Sequence, residues 1–107
     1  MAAEMRLGEV DGSHSLSFSC GDLPVDDAVL AAGHEPNGYF WEGLVEYLDP
    51  GLAGRLELDS EAGMFAANGD RAALEELRLL ITPYLDDSER VAAAVEQADG
   101  AGFQFDD

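Results

Sequence analysis

Residues 55–81 read RLELDSEAGMFAANGDRAALEELRLLI, and within this one stretch the hydrophobic period changes from that of a strand to that of a helix. Arg55, Glu57 and Asp59 alternate with Leu56 and Leu58, a Ser60-Glu61-Ala62-Gly63 turn follows, and Met64 to Ala67 returns as a second strand. Asn68-Gly69-Asp70 then supplies a helix cap. Leu74, Leu77, Ile81 and Tyr84 mark one face of a long helix that Pro83 ends or kinks. A hairpin feeding an amphipathic helix points to an α+β domain, with an antiparallel sheet covered by helices.

The flanking segments repeat the theme. Met5 to Val10 and Ser15 to Cys20 enclose an Asp11-Gly12-Ser13 turn, and Leu16, Phe18 and Cys20 alternate with serines, which predicts a hairpin with one wet face. Asp22-Leu23-Pro24 introduces a short helix that stops at Gly33. After a turn over His34-Glu35-Pro36-Asn37-Gly38, residues Tyr39 to Leu48 have helical spacing and end before Asp49-Pro50-Gly51. Asp87 or Ser88 caps a last helix with Val91, Ala94, Val95 and Ala98 inward and Gly100 as its stop. Phe103-Gln104-Phe105 alternates like an edge strand. The expected order is ββαα-ββαα-β in a single domain over 1–107: two hairpins, with a candidate C-terminal strand, form one antiparallel sheet packed by helices on one face.

Charge sets the strongest limit on function. The 107 residues hold 23 Asp and Glu against 5 Arg and no Lys, a formal net charge of -18, while 47% of residues are hydrophobic, enough for a core. Direct nucleic-acid binding is disfavoured, because it relies on cations that neutralise phosphates, and an anionic membrane surface is disfavoured for the same reason. No apolar run reaches the length of a membrane span and the N-terminal residues lack a signal-peptide pattern, so a cytoplasmic protein is expected. Repulsion between copies favours a monomer or weak homodimer.

Few residues suggest bond-making chemistry. Cys20 is the lone cysteine, and with His14 and His34 it matches no metal-ligand spacing, so no metal and no cofactor are expected. At the apolar end of an alternating strand, Cys20 reads as a small core residue rather than a reactive thiol. No G-x-S-x-G elbow or phosphate-binding glycine loop is present. The adjacent pairs Asp26-Asp27 and Asp86-Asp87 fall at predicted helix N-termini, where the helix dipole favours them without any catalytic role. A non-enzymatic binder is the expectation.

The segment 34–50, HEPNGYFWEGLVEYLDP, is the most informative for binding. At helical spacing Tyr39, Glu42, Gly43 and Glu46 share one face, Phe40, Leu44 and Leu48 another, with Trp41 and Val45 flanking the latter. An acidic face bearing an aromatic residue suits capture of a basic partner. The candidate partner-binding residues are therefore Glu35, Asn37, Tyr39, Trp41, Glu42, Glu46 and Glu61, the last in the turn of the second hairpin.

Three segments, HEPNGYFWEG, DSEAGMF and the terminal GFQFDD, together resemble the immunity protein 51 family of bacterial polymorphic toxin systems. The resemblance implies a small α+β cytoplasmic protein, encoded beside a toxin, that binds and neutralises the cognate toxin domain; it brings no catalytic residues. A nuclease toxin would present a basic cleft that an acidic protein can occupy. The alternatives are an acidic regulator or nucleic-acid mimic acting on a housekeeping nuclease and, with less support, a small metal-dependent hydrolase built on clustered carboxylates.

Overall fold

The Leu16 and Phe18 face of the first hairpin and the Phe65 and Ala67 face of the second are buried together, and the two hairpins share one sheet. In the computed structural model, which describes residues 5–10 and 12–105, strands β1 (Arg6–Val10), β2 (Ser13–Ser19), β3 (Glu57–Leu58) and β4 (Met64–Gly69) form a four-stranded antiparallel sheet in the order β1-β2-β4-β3. The central pairing sets Leu16 opposite Ala67 and Phe18 opposite Phe65. Since side chains alternate along a strand, these four lie on one face, and all are fully buried. Ser15, Ser17, Ala66 and Asn68 take the other face and stay half-buried, the wet side that the serine alternation predicts.

The helices are α1 (Asp26–Ala31), α2 (Gly38–Leu48), α3 (Pro50–Ala53), α4 (Arg71–Ile81) and α5 (Ser88–Gly100), with a 3-10 turn over Thr82–Tyr84. Helices α2 and α4 pack on the sheet, and α5 packs on α1 and α2. Side-chain caps start the main helices: Asn37 accepts from the Phe40 N–H at 2.9 Å, Asp70 from Ala73 at 2.7 Å and Asp87 from Arg90 at 3.1 Å. Pro83, which cannot donate a helical hydrogen bond, lies where α4 tightens into the 3-10 turn.

The observed order departs from the expected one in two places. Asp49-Pro50-Gly51 ends α2 but also begins α3: the Asp49 N–H still donates to Val45 while its carboxylate accepts from the Leu52 N–H at 3.0 Å, and proline suits the first helical turn. At the other end, residues 103–105 pair with no strand among the described residues. The last helix runs through Gly100, and the chain reverses at Gly102, with φ +81°. There the N–H groups of Gly102 and Phe103 donate to Asp99 and Ala98, a left-handed glycine stop that throws the aromatic tail back over the helices. Asp11, residues 1–4 and Asp106-Asp107 lie outside the described residues.

The core centres on Trp41, whose ring meets Phe18 edge-on at 5.6 Å and Phe40 at 5.4 Å, while Phe18 stacks on Phe65 at 5.0 Å. No helix of the described residues is long and apolar enough to cross a membrane. Replacing Asp70 with Ala removes the acceptor from the first turn of α4, the helix covering both central strands, and should cost about 1 kcal/mol. In thermal melting this appears as a fall in Tm of roughly 4–8 °C; an unchanged Tm would show that α4 needs no cap.

Candidate functional site

The described parts of the three segments that carry the family resemblance, residues 34–43, 59–65 and 102–105, meet around the first turns of α2. Gly38 is buried there, and a Cβ at its position would lie 2.2 Å from the Glu61 carbonyl oxygen and 2.3 Å from that of Met64. The turn between β3 and β4 thus rests its backbone directly on the helix, and the Gly38 N–H donates to the Ala62 carbonyl at 3.3 Å. One helical turn further on, Gly43 opens a slot for the tail: a Cβ there would lie 2.7 Å from the Phe105 ring. Phe105 stacks on Phe40 at 5.1 Å and meets the His34 ring at 4.6 Å. A stop like that of α5 ends α1, with Gly33 at φ +87° and the His34 N–H donating to Val29. His34 also reaches Asp99 on α5, Nε2 to Oδ1, at 3.3 Å. Two glycine stops therefore aim His34 and the aromatic tail at one spot beside α2.

This arrangement sorts the candidate residues. Trp41, expected among the partner-binding residues, is instead fully buried: it flanks the apolar stripe of α2, and the sheet and Phe40 close over it. Asn37 holds the start of α2 through the Phe40 N–H, a structural task inside the fold. Glu42 is half-buried and its carboxylate accepts from the Ser60 N–H at 2.8 Å, tying the β3–β4 turn to the helix. Gly43, placed by helical spacing on the outer face, is buried under Phe105. Glu35, Tyr39, Glu46 and Glu61 are exposed, Tyr39 by 39%. Glu61 reaches the group through the contact of its backbone with Gly38, although it lies far along the chain.

What the residue pattern missed is the scaffold beneath the surface. Gly38, Gly43, Ser60 and Phe105 decide where the acidic side chains stand, and the one available signal was Gly43 inside the helical pattern, five residues after Gly38 in the turn that leads into it. The surface is acidic by sequence as well: no Arg or Lys occurs from Glu35 to Gly54 or from Leu56 to Asp70. Elsewhere, Arg55, Arg78 and Arg90 are paired with Glu76, Glu75 and Asp87 at 2.8, 3.1 and 3.7 Å. Such exposed pairs add little stability but cancel positive charge locally.

Two titrating groups near α1 are perturbed. Burial pushes the Cys20 thiol up to about 11, opposed by a backbone hydrogen bond at Phe65 and helped by the Asp26 charge. A thiol so protonated is a poor nucleophile at neutral pH. Burial also raises the Asp26 carboxyl above its ordinary range, against the Leu23 N–H it accepts and with Asp22 and Asp27 adding to the rise. Among the described residues, no three His, Cys, Asp or Glu side chains are grouped so as to hold a metal ion. His14 instead pairs with Glu9 at 3.2 Å.

No protein-family model, curated protein or solved structure matches this chain.

Gly38→Ala drives a methyl group into two backbone carbonyls and should cost at least about 2 kcal/mol, whereas Gly43→Ala meets only a movable ring and should cost about half that. Equal losses in denaturant unfolding would contradict this ranking. Because folding raises the Asp26 pKa, the contribution of this group to stability falls as pH rises through the ordinary carboxylate range and returns on acidification. Asp26→Asn keeps an acceptor for the Leu23 N–H, so its Tm should exceed that of the parent at pH 7 and the gap should close toward pH 3; a gap independent of pH would rule out the charge as its cause.

Proposed function

We propose that this protein is an immunity protein that binds a basic toxin domain and blocks it, using the acidic surface around α2 as the contact. The observation that carries the proposal is the meeting of the described parts of the three family-like segments at one helix, with Tyr39 and Glu46 exposed on it and Glu35 and Glu61 exposed in the segments that meet there. Glycine contacts, the Glu42 tie and the Phe105 stack hold the backbone beneath these residues. A prepositioned surface loses little entropy on binding.

Electrostatics supports the same reading. A net charge of -18 draws a cationic partner from a distance and raises the encounter rate. A toxin that cleaves a phosphodiester must carry a cationic cleft, so an acidic protein seated there excludes the substrate by charge and bulk. Tyr39, half in solvent with an apolar ring and a polar tip, is the residue of this surface suited to a desolvated anchor. The resemblance to immunity protein 51 favours a toxin over a housekeeping nuclease as the partner.

Co-expression with a toxin domain, which the resemblance implies is encoded beside this chain, provides the test. The unmodified protein should restore growth, and the triple variant Glu35→Lys, Glu46→Lys, Glu61→Lys should lose affinity by about 10–100-fold. Thermal melting of the variant checks that its fold persists. Tyr39→Ala should act mainly by faster dissociation, about tenfold. Undiminished binding by the triple variant would remove this surface from the contact, and failure of the unmodified protein to protect would remove the immunity function itself.

A further inference from the structure

Along the seam between α1 and α5 runs an open trough of about 600 Å³. Its floor is made of small apolar side chains, with Ala28, Ala31 and Ala32 from the α1 side and Ala92 and Val95 from α5. The α1 alanines follow i, i+3, i+4 spacing and so present one continuous face. Acidic side chains stand along the α5 wall: Glu89, Glu96 and Asp99 line the trough, and no basic residue does. From Glu89 to Asp99 the wall extends about 15 Å, close to three helical turns. Asp99 marks the end nearest His34.

We propose that this trough docks an amphipathic helix of a partner protein, with large apolar side chains on the alanine floor and Lys or Arg along the Glu89, Glu96 and Asp99 wall. An apolar channel of helical length with a single-sign wall is the complement of such a helix, whose apolar anchors recur at i, i+3, i+4 and i+7. The small floor residues leave the volume that leucine-sized anchors need. A second copy of this chain is the poorer occupant, since it brings a charge of -18 to an acidic wall. The trough lies on helices other than α2, and the inference stands whether or not the α2 surface engages a toxin.

The probe is a synthetic peptide of about 14 residues, close to four turns, with Leu at the helical anchor spacing and Lys elsewhere. A peptide of the same composition in shuffled order measures attraction by charge alone. Titrated into the full-length, isotope-labelled protein, the patterned peptide should shift backbone resonances chiefly in 28–32 and 88–99 and bind at least about tenfold more tightly than the shuffled one. Ala92→Trp, which fills the trough from an exposed position, should weaken the patterned peptide about tenfold or more, and so should Glu89→Lys with Glu96→Lys. Equal affinity for both peptides, shifts centred on α2, affinity unchanged in both variants, or dimerisation that blocks the peptide would each overturn the proposal.

Discussion

Everything around the candidate site depends on one close approach, the turn between β3 and β4 lying with its backbone against Gly38 of α2. No side chain larger than hydrogen fits between the helix and the carbonyls of Glu61 and Met64. The contact locks helix and sheet together at a point where Asn37 has just started the helix and Glu42, one turn on, fastens the same turn through Ser60. Helix α2 is thus fixed at its N-terminal half by hydrogen bonds and at its inner face by the Trp41 aromatic cluster.

The second constraint comes from the far end of the chain. A left-handed glycine after α5 reverses the backbone, and Phe105 drops into the gap that Gly43 leaves, against Phe40 and His34. Tyr47 and Phe103 extend the same aromatic contact at 5.5 Å. The tail therefore closes the side of α2 that the turn leaves open. In a chain of this charge, such short-range apolar and backbone contacts hold the acidic face in place against its own repulsion.

Much of the fold was legible because its local signals agree. The caps at Asp70 and Asp87 and the stripe of Leu74, Leu77 and Ile81 each identify one element, and the elements are there. Strand order was not legible, since pairing β2 with β4 brings together residues about 50 positions apart and no local pattern encodes it. Phe103-Gln104-Phe105 misled because two-residue alternation marks a strand and equally marks two rings turned toward an aromatic cluster. Helix α3 was hidden because a proline after an aspartate reads as a stop and also as a start. At the candidate site, Tyr39 and Glu46 are exposed as helical spacing suggests, and Glu35 and Glu61 are exposed outside the helix. Trp41 and Asn37 are not available in the same way, since the same hot-spot chemistry also builds cores and caps.

The most direct measurement of the proposed function is the association rate, as a function of ionic strength, between the unmodified protein and the toxin domain it is proposed to block. Steering by the acidic face predicts a rate at least about tenfold above the unsteered range at low salt, falling steeply as salt screens the charges, with dissociation changing little. An association rate that is slow and indifferent to salt would contradict an electrostatic contact through α2.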